Sequence, residues 1–318
     1  MTISILFVLI GLVFLILAGE LLVRSSSKIA NAYGVPPLII GLTVVAFGTS
    51  LPEFGVSLIA SINGNPEIAL TNVIGSNIFN LGFILGVCAL ISPLKVNRQL
   101  IKFDVPILIG ASLSTYLFCL NGTLEKYEGL ILFFGIFAYI FWLVRASKTE
   151  SYEVQKEFSD AAPVHESKSL IKNYLFTLVS LAVLVAGAKL LVTGAIDLSK
   201  MFNVSDSLIG LTIVATGTSL PEVATSIMAT IKGKTDIAVG NVIGSNIFNL
   251  LLTLGLCSSV GPKLQVNPYL MQFDLLVMLG ISVACYPMLA SARKLVRWEG
   301  ALLLGGYICY ITFLIIRG

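Results

Sequence analysis

Residues 40–93 recur at 209–262 with a constant offset of 169 and no gap, and 32 of the 54 aligned positions are identical. The identities are not those that a shared apolar composition would generate. Gly-Thr-Ser-Leu-Pro-Glu stands at 48–53 and again at 217–222. Asn-Val-Ile-Gly-Ser-Asn-Ile-Phe-Asn-Leu stands at 72–81 and again at 241–250. Chance likeness between two apolar segments would match Leu, Ile and Val; it would not align Asn, Ser, Thr, Pro and Glu in register. Weaker matches continue one insertion later, pairing Asn97 with Asn267 and Asp104 with Asp274. Gene duplication is the economical reading, so the fold is built from two copies of one unit.

Both copies lie in hydrophobic surroundings. Of the 318 residues, 56% are hydrophobic and only 12% charged, against about 25% charged in soluble domains. A bilayer core needs roughly 20 apolar residues per helix, and such stretches occur at 3–23, 38–61, 67–92, 104–121, 127–146, 173–193, 207–230, 236–259, 271–290 and 298–316. Helices are required, because open strands would leave backbone groups unsatisfied in lipid. The first span lacks a basic leader and a small-residue cleavage site, so it reads as a helix and not as a signal peptide. The expected fold is an all-α membrane protein of ten transmembrane helices.

Basic residues set the expected orientation. One set of alternate loops carries fifteen Lys and Arg, among them Arg24, Lys28, Lys95, Arg98, Arg293 and Lys294; the opposite set carries four, Lys126, Lys200, Lys263 and Arg317. This asymmetry puts both termini outside the cell membrane and the 147–172 loop in the cytoplasm. That loop, rich in Glu, Lys and Ser, is too short to bury a core and reads as a flexible connector. The expected units are therefore 1–146, with its motif region at 38–92, and 173–318, with its motif region at 207–259. Five spans per unit is an odd number, so the second copy enters the membrane inverted. Inverted repeats with Gly/Pro-interrupted helices at matching positions point to a transport site at the bilayer midplane.

Glu53 and Glu222 are the carboxylates deepest in these spans. A charge at that depth costs several kcal/mol unless paired or solvated, which makes it a functional candidate by default. Packing alone would explain many Ser, Asn and Gly residues in membrane helices, but it does not explain a duplicated carboxylate beside a proline. Pro52 and Pro221 cannot donate to the helix ladder and so free the carbonyls of Gly48 and Gly217, four residues earlier. Thr49, Ser50, Thr218 and Ser219 add hydroxyls on the same turn. Ser76 with Asn80, and Ser245 with Asn249, are each four apart and share one helix face, with Gly75 and Gly244 allowing close helix approach beside them. Asn77 and Asn246 lie next to that face and are weaker ligand candidates.

The donor set is oxygen throughout. The five cysteines lie in apolar segments without a C-x-x-C pair, and His165 lies in the polar loop, so the cysteines read as buried structural thiols. Oxygen ligation suits Ca²⁺ or Na⁺ and not Zn²⁺ or Cu⁺. Two carboxylates are neutralised by one Ca²⁺ or by two Na⁺, so the two ions can compete for one site. Glu20 and Lys189 read as snorkelling side chains, Asp104 and Asp274 as headgroup-facing, and Phe133-Phe134 and Phe141-Trp142 as lipid-facing or interfacial.

Gly-Thr-Ser-Leu-Pro-Glu followed by Gly-Ser-Asn-Ile-Phe-Asn, once in each half of a ten-span chain, resembles the two alpha repeats of the calcium/cation antiporter superfamily, in particular its prokaryotic Na⁺/Ca²⁺ exchangers. The resemblance covers nearly the whole chain. It implies two inverted five-helix halves, with the second, third, seventh and eighth helices forming the ion-binding core while the first and sixth slide across it. It also implies electrogenic exchange of Ca²⁺ for more than two Na⁺. By motif, Ca²⁺ would be held by Glu53 and Glu222 with the backbone at Thr49 and Thr218. Na⁺ would be held by Ser50, Ser76, Ser219 and Ser245, the carbonyls of Ala46 and Ala215, the two glutamates, and Asn80 and Asn249. Relatives that place Asp at one of these two Asn positions include the K⁺-dependent exchangers, so Asn at both argues against K⁺ co-transport.

Ca²⁺/H⁺ exchange is the alternative coupling, and a cation channel the alternative of another class; a channel would favour a pore on an oligomer axis, whereas this chain carries both halves of its site. An enzyme is not expected, because no nucleophile–base pair or metalloprotease motif is present. The expected partners are the transported ions and the lipid bilayer, with no cofactor, nucleic acid or obligatory protein partner.

Overall fold

The computed structural model describes residues 2–33, 35–158, 167–201 and 215–317. Among the described residues the structure is helical apart from short connections and four two-residue strands. The helices are α1 Thr2–Tyr33, α2 Pro37–Thr49, α3 Leu51–Ile62, α4 Pro66–Ile91, α5 Leu100–Asn121, α6 Lys126–Phe158, α7 Ser167–Met201, α8 Leu220–Ile231, α9 Thr235–Val260, α10 Leu270–Arg293 and α11 Arg297–Arg317. A single helical turn, Ala215–Gly217, precedes α8. Eight of these helices are long and apolar enough to cross a bilayer, and α2 with α3, bent by 45°, makes a ninth. The expected span at 207–230 falls partly outside the described residues; its remainder is the turn at 215–217 and α8.

Burial separates two helices from the rest. The most apolar windows of α4 and α9 are 72% and 94% buried, whereas those of the other six long helices are 22–39% buried. The duplicated Asn-Val-Ile-Gly-Ser-Asn segments therefore form the centre of the molecule. Outer helices turn Leu, Ile and Phe outward, as a lipid solvent permits; Phe134 and Phe141 are 63% and 69% exposed, as expected. α1 and α7 lie along one another, close enough that a Cβ on Gly11 would come within 2.7 Å of the Gly187 carbonyl oxygen. Small residues allow this kind of approach between helices in lipid.

Among the described residues five segments are wound as π-helix: Gly41–Val45, Asn80–Ile84, Leu100–Asp104, Asn249–Leu254 and Leu270–Asp274. Sequence periodicity gives no sign of them, yet four are repeat counterparts, and such segments concentrate at functional sites. The strands are β1 Leu94–Lys95, β2 Thr123–Leu124, β3 Leu264–Gln265 and β4 Lys294–Leu295. They pair antiparallel across the halves, β1 with β4 and β2 with β3. By sequence β1 corresponds to β3 and β2 to β4, so each bridge exchanges partners between the repeats.

Several sequence expectations change. The expected connector at 147–172 is helical up to Phe158 and again from Ser167. Its Glu and Lys are good helix formers and prolong the flanking helices. Residues 159–166, with His165, lie outside the described residues. Asp104 is fully buried and accepts a hydrogen bond from Tyr139 Oη at 3.0 Å, and Asp274 accepts one from Tyr310 Oη at 2.9 Å. These carboxylates are held by tyrosines on the following helix and do not face headgroups. Glu20 forms an ion pair with Lys232 at 2.6 Å. Cys88, Cys119, Cys257 and Cys285 are buried thiols, but Cys309 is exposed on α11.

Candidate cation site

The site grows from two helix breaks. Ser50 separates α2 from α3 with φ −80° and ψ 3°, and Ser219 precedes α8 with φ −88° and ψ 5°. In each case proline occupies the first turn of the new helix, where its missing N–H costs nothing. Glu53 and Glu222 follow in the same first turn. The sequence places the interruption at the proline; the structure shows the serine as the break itself, with its hydroxyl at the helix N-terminus.

Each serine reaches across to the other half. Ser219 Oγ donates to Glu53 Oε1 at 2.7 Å, and Ser50 Oγ donates to Glu222 Oε1 at 2.9 Å. Ser50 and Ser219 are repeat counterparts, as are Glu53 and Glu222, so the two bonds are the same contact made twice. Both glutamates are fully buried. The second oxygen of each, Oε2, has no hydrogen-bond partner among the described residues. A buried acceptor left unmade costs about 1–3 kcal/mol, and more when charged. Each half thus contributes one such buried oxygen.

The surrounding oxygens come from α2, α4 and α9. Ser76 Oγ lies 3.3 Å from Ser219 Oγ, and Ser245 Oγ lies 3.4 Å from the Ala46 carbonyl oxygen. Thr49 Oγ1 is within 3.3 Å of that same carbonyl and within 3.1 Å of Asn241 Oδ1. Ser76, Ser245, Asn80 and Asn249 are all buried. Asn80 Oδ1, both polar atoms of Asn249 and Thr218 Oγ1 lack partners among the described residues. Ala215 opens the turn that packs against α4. A Cβ on Gly244 would fall 2.7 Å from that of Ala46, so this glycine lets α2 and α9 touch. The matching contact of Gly75 would involve residues 211–215, which lie outside the described side chains.

Other polar residues hold this frame. Asn77 and Asn246 clasp each other, with Nδ2 of Asn246 donating to the Asn77 carbonyl at 3.2 Å and Nδ2 of Asn77 approaching the Asn246 carbonyl at 3.4 Å. Asn80 Nδ2 donates to Asn246 Oδ1 at 2.9 Å. Asn72 Nδ2 donates to Ser57 Oγ at 2.9 Å, and Asn241 Nδ2 donates to Ser226 Oγ at 3.0 Å, tying α4 to α3 and α9 to α8. Asn72, Asn241, Ser57 and Ser226 draw no notice in the sequence beyond their identity across the repeat. That identity is the signal that marks them.

Fold and site together define a multi-pass membrane protein that brings two buried carboxylates, one from each duplicated segment, to a single oxygen-lined centre. The chain belongs to the sodium/calcium exchanger protein family, whose pattern it matches over residues 3–145 and 172–316. It is 37% identical to the putative antiporter CaxA of Alkalimonas amylolytica over 98% of both chains. It is 35% identical to the sodium/calcium exchanger MaX1 of Methanosarcina acetivorans over 98% of this chain and 99% of that one. Among solved structures it is similar to the sodium-calcium exchanger NCX_Mj, with a TM-score of 0.85 and 30% identity over 98% of this chain and 99% of that one. The family is one of transporters, not of enzymes.

Proposed function

We propose that this protein is a secondary antiporter that exchanges Ca²⁺ for Na⁺ by alternating access. The observation that carries the reading is the crossed pair of serine–carboxylate bonds, which holds Glu53 and Glu222 together and leaves one oxygen of each free. Ca²⁺ takes six to eight oxygens in flexible geometry. Glu53, Glu222, Thr49 and Thr218 would bind Ca²⁺. Ser50, Ser76, Asn80, Ser219, Ser245 and Asn249, with the two glutamates and the carbonyls of Ala46 and Ala215, would bind Na⁺. One Ca²⁺ or two Na⁺ neutralise the two carboxylates, so loading with one ion excludes the other. Exchange follows when the loaded site faces each side of the membrane in turn.

Ten crossings in two inverted halves, 1–146 and 173–318 joined by 147–172, would supply that alternation. The exchanged partners of the β bridges and the crossed serines support such a two-fold relation. The excess of Lys and Arg supports outside termini and a cytoplasmic 147–172 segment in the cell membrane.

The test is flux in sealed vesicles containing the purified protein. An outward Na⁺ gradient is expected to drive ⁴⁵Ca²⁺ uptake that stops when the gradient is collapsed. Uptake that ignores Na⁺ and follows a pH gradient would assign Ca²⁺/H⁺ exchange instead. Uptake that dissipates without any counter-ion would assign a channel.

A further inference from the structure

The two β bridges are built alike and charged differently. In β2–β3, Thr123 stands opposite Gln265. The turn before β2 passes through Gly122 at φ 81°, and the nearby charges cancel in the ion pair of Lys263 with Glu125. In β1–β4, Lys95 stands directly opposite Lys294. There the left-handed turn is made by Ala292 and Arg293, at φ 50° and 51°. Arg293 is the repeat counterpart of Gly122. Like charges directly opposed in a β pair are unfavourable, and so are side chains in left-handed backbone. The β2–β3 bridge shows that the architecture requires neither.

The result is a cleft of about 520 Å³ lined by Lys95, Asn97, Arg98, Arg293 and Lys294. Among the described residues no carboxylate lines it. Glu299 is buried and engaged elsewhere, accepting from Ser291 Oγ at 3.0 Å and from the Val296 N–H at 2.9 Å. None of the four cations makes an ion pair among the described residues. Asn97 Oδ1 accepts from the Gln99 N–H at 2.8 Å, which leaves its Nδ2 as a donor. Trp298, four residues beyond Lys294, is 63% exposed; tryptophan at the end of a membrane helix marks the headgroup level.

We propose that this cleft binds a phosphate group, carried in the membrane by the headgroup of an anionic phospholipid. Two guanidinium forks match phosphate oxygens two at a time, and the lysines add compact charge. On the proposed orientation these basic residues lie on the cytoplasmic side, where an anionic leaflet attracts them. The proposal does not rest on the ion-exchange reading.

Native mass spectrometry of protein released from bilayers of phosphatidylcholine mixed with phosphatidylglycerol provides the test. The wild type is expected to retain phosphatidylglycerol in preference to phosphatidylcholine. Arg98→Gln with Arg293→Gln is expected to lower that retention roughly tenfold or more. Arg24→Gln with Lys28→Gln removes equal charge from α1, away from the cleft, and is expected to leave it unchanged. Equal loss in both double variants would overturn the proposal, since bulk charge would then explain retention. If the arginine variant does not fold, the wild type still decides: no preference for phosphatidylglycerol, together with no binding of inorganic phosphate, sinks the site. Binding of inorganic phosphate that phosphatidylglycerol fails to displace would keep the phosphate site and reject the lipid as its source.

Discussion

The segments 72–81 and 241–250 are identical in sequence, yet the structure gives their last polar residues unlike surroundings. Asn80 donates to Asn246 Oδ1, whereas neither polar atom of Asn249 has a partner among the described residues. The threonines differ in the same way. Thr49 is engaged by the Ala46 carbonyl and Asn241, while Thr218 Oγ1 has no partner among the described residues. The carboxylates, by contrast, are treated alike, each with one oxygen bonded and one free. The residues just past the motifs supply part of the difference. Leu81-Gly82-Phe83-Ile84 continues the first copy and Leu250-Leu251-Leu252-Thr253 the second, and the π-helical segment is five residues long in one and six in the other. Duplication therefore preserved the charge-bearing centre and let its rim diverge.

The largest expected effect falls on the part that stayed equivalent. Glu53→Gln and Glu222→Gln should each lower Na⁺-driven ⁴⁵Ca²⁺ uptake by about a hundredfold or more, a loss of ~3 kcal/mol at tenfold per 1.4 kcal/mol. Full activity in either variant would break the equivalence and remove that residue from the site. Next come the serines. Ser50→Ala and Ser219→Ala each delete one hydrogen bond to a buried carboxylate, worth about 1.5–3 kcal/mol. Ca²⁺ affinity measured by calorimetry should weaken roughly ten- to hundredfold. Ser219→Ala is expected to cost more, because Ser219 also touches Ser76.

The smallest effect tests the divergence most directly. Asn249→Asp places a carboxylate where the amide has no partner and is expected to tighten Ca²⁺ binding about tenfold, in line with charge-dependent tuning of calcium sites. Asn80→Asp replaces a donor that Asn246 Oδ1 requires, so two acceptors face each other and binding should weaken by a similar factor. Matching responses at the two positions would show that the rim is equivalent after all.

Much of this molecule was legible in its sequence. The repeat, the helical membrane class, and the choice of Glu53, Glu222, Ser50 and Ser219 as candidates follow from identity in register and from the cost of charge in lipid. The identity across copies at Asn72, Asn241, Ser57 and Ser226 was equally visible, but their role needs a partner helix to define it. Asp104 illustrates the limit. Read alone, it begins a span and belongs at the headgroups, yet Tyr139 from the next helix draws it into the interior.

The sequence by itself determined that two carboxylates had to be buried, because each lies within an apolar helix that lipid leaves no way to solvate. Only the tertiary structure decided that each would be braced by the serine of the opposite half, and that the Asn80 amide would donate to Asn246 while Asn249 finds no partner among the described residues. Hydrophobic and helical patterns are local and survive in the linear order of residues. Hydrogen-bond pairing between helices depends on their relative rotation and depth, which arise only when both copies pack together.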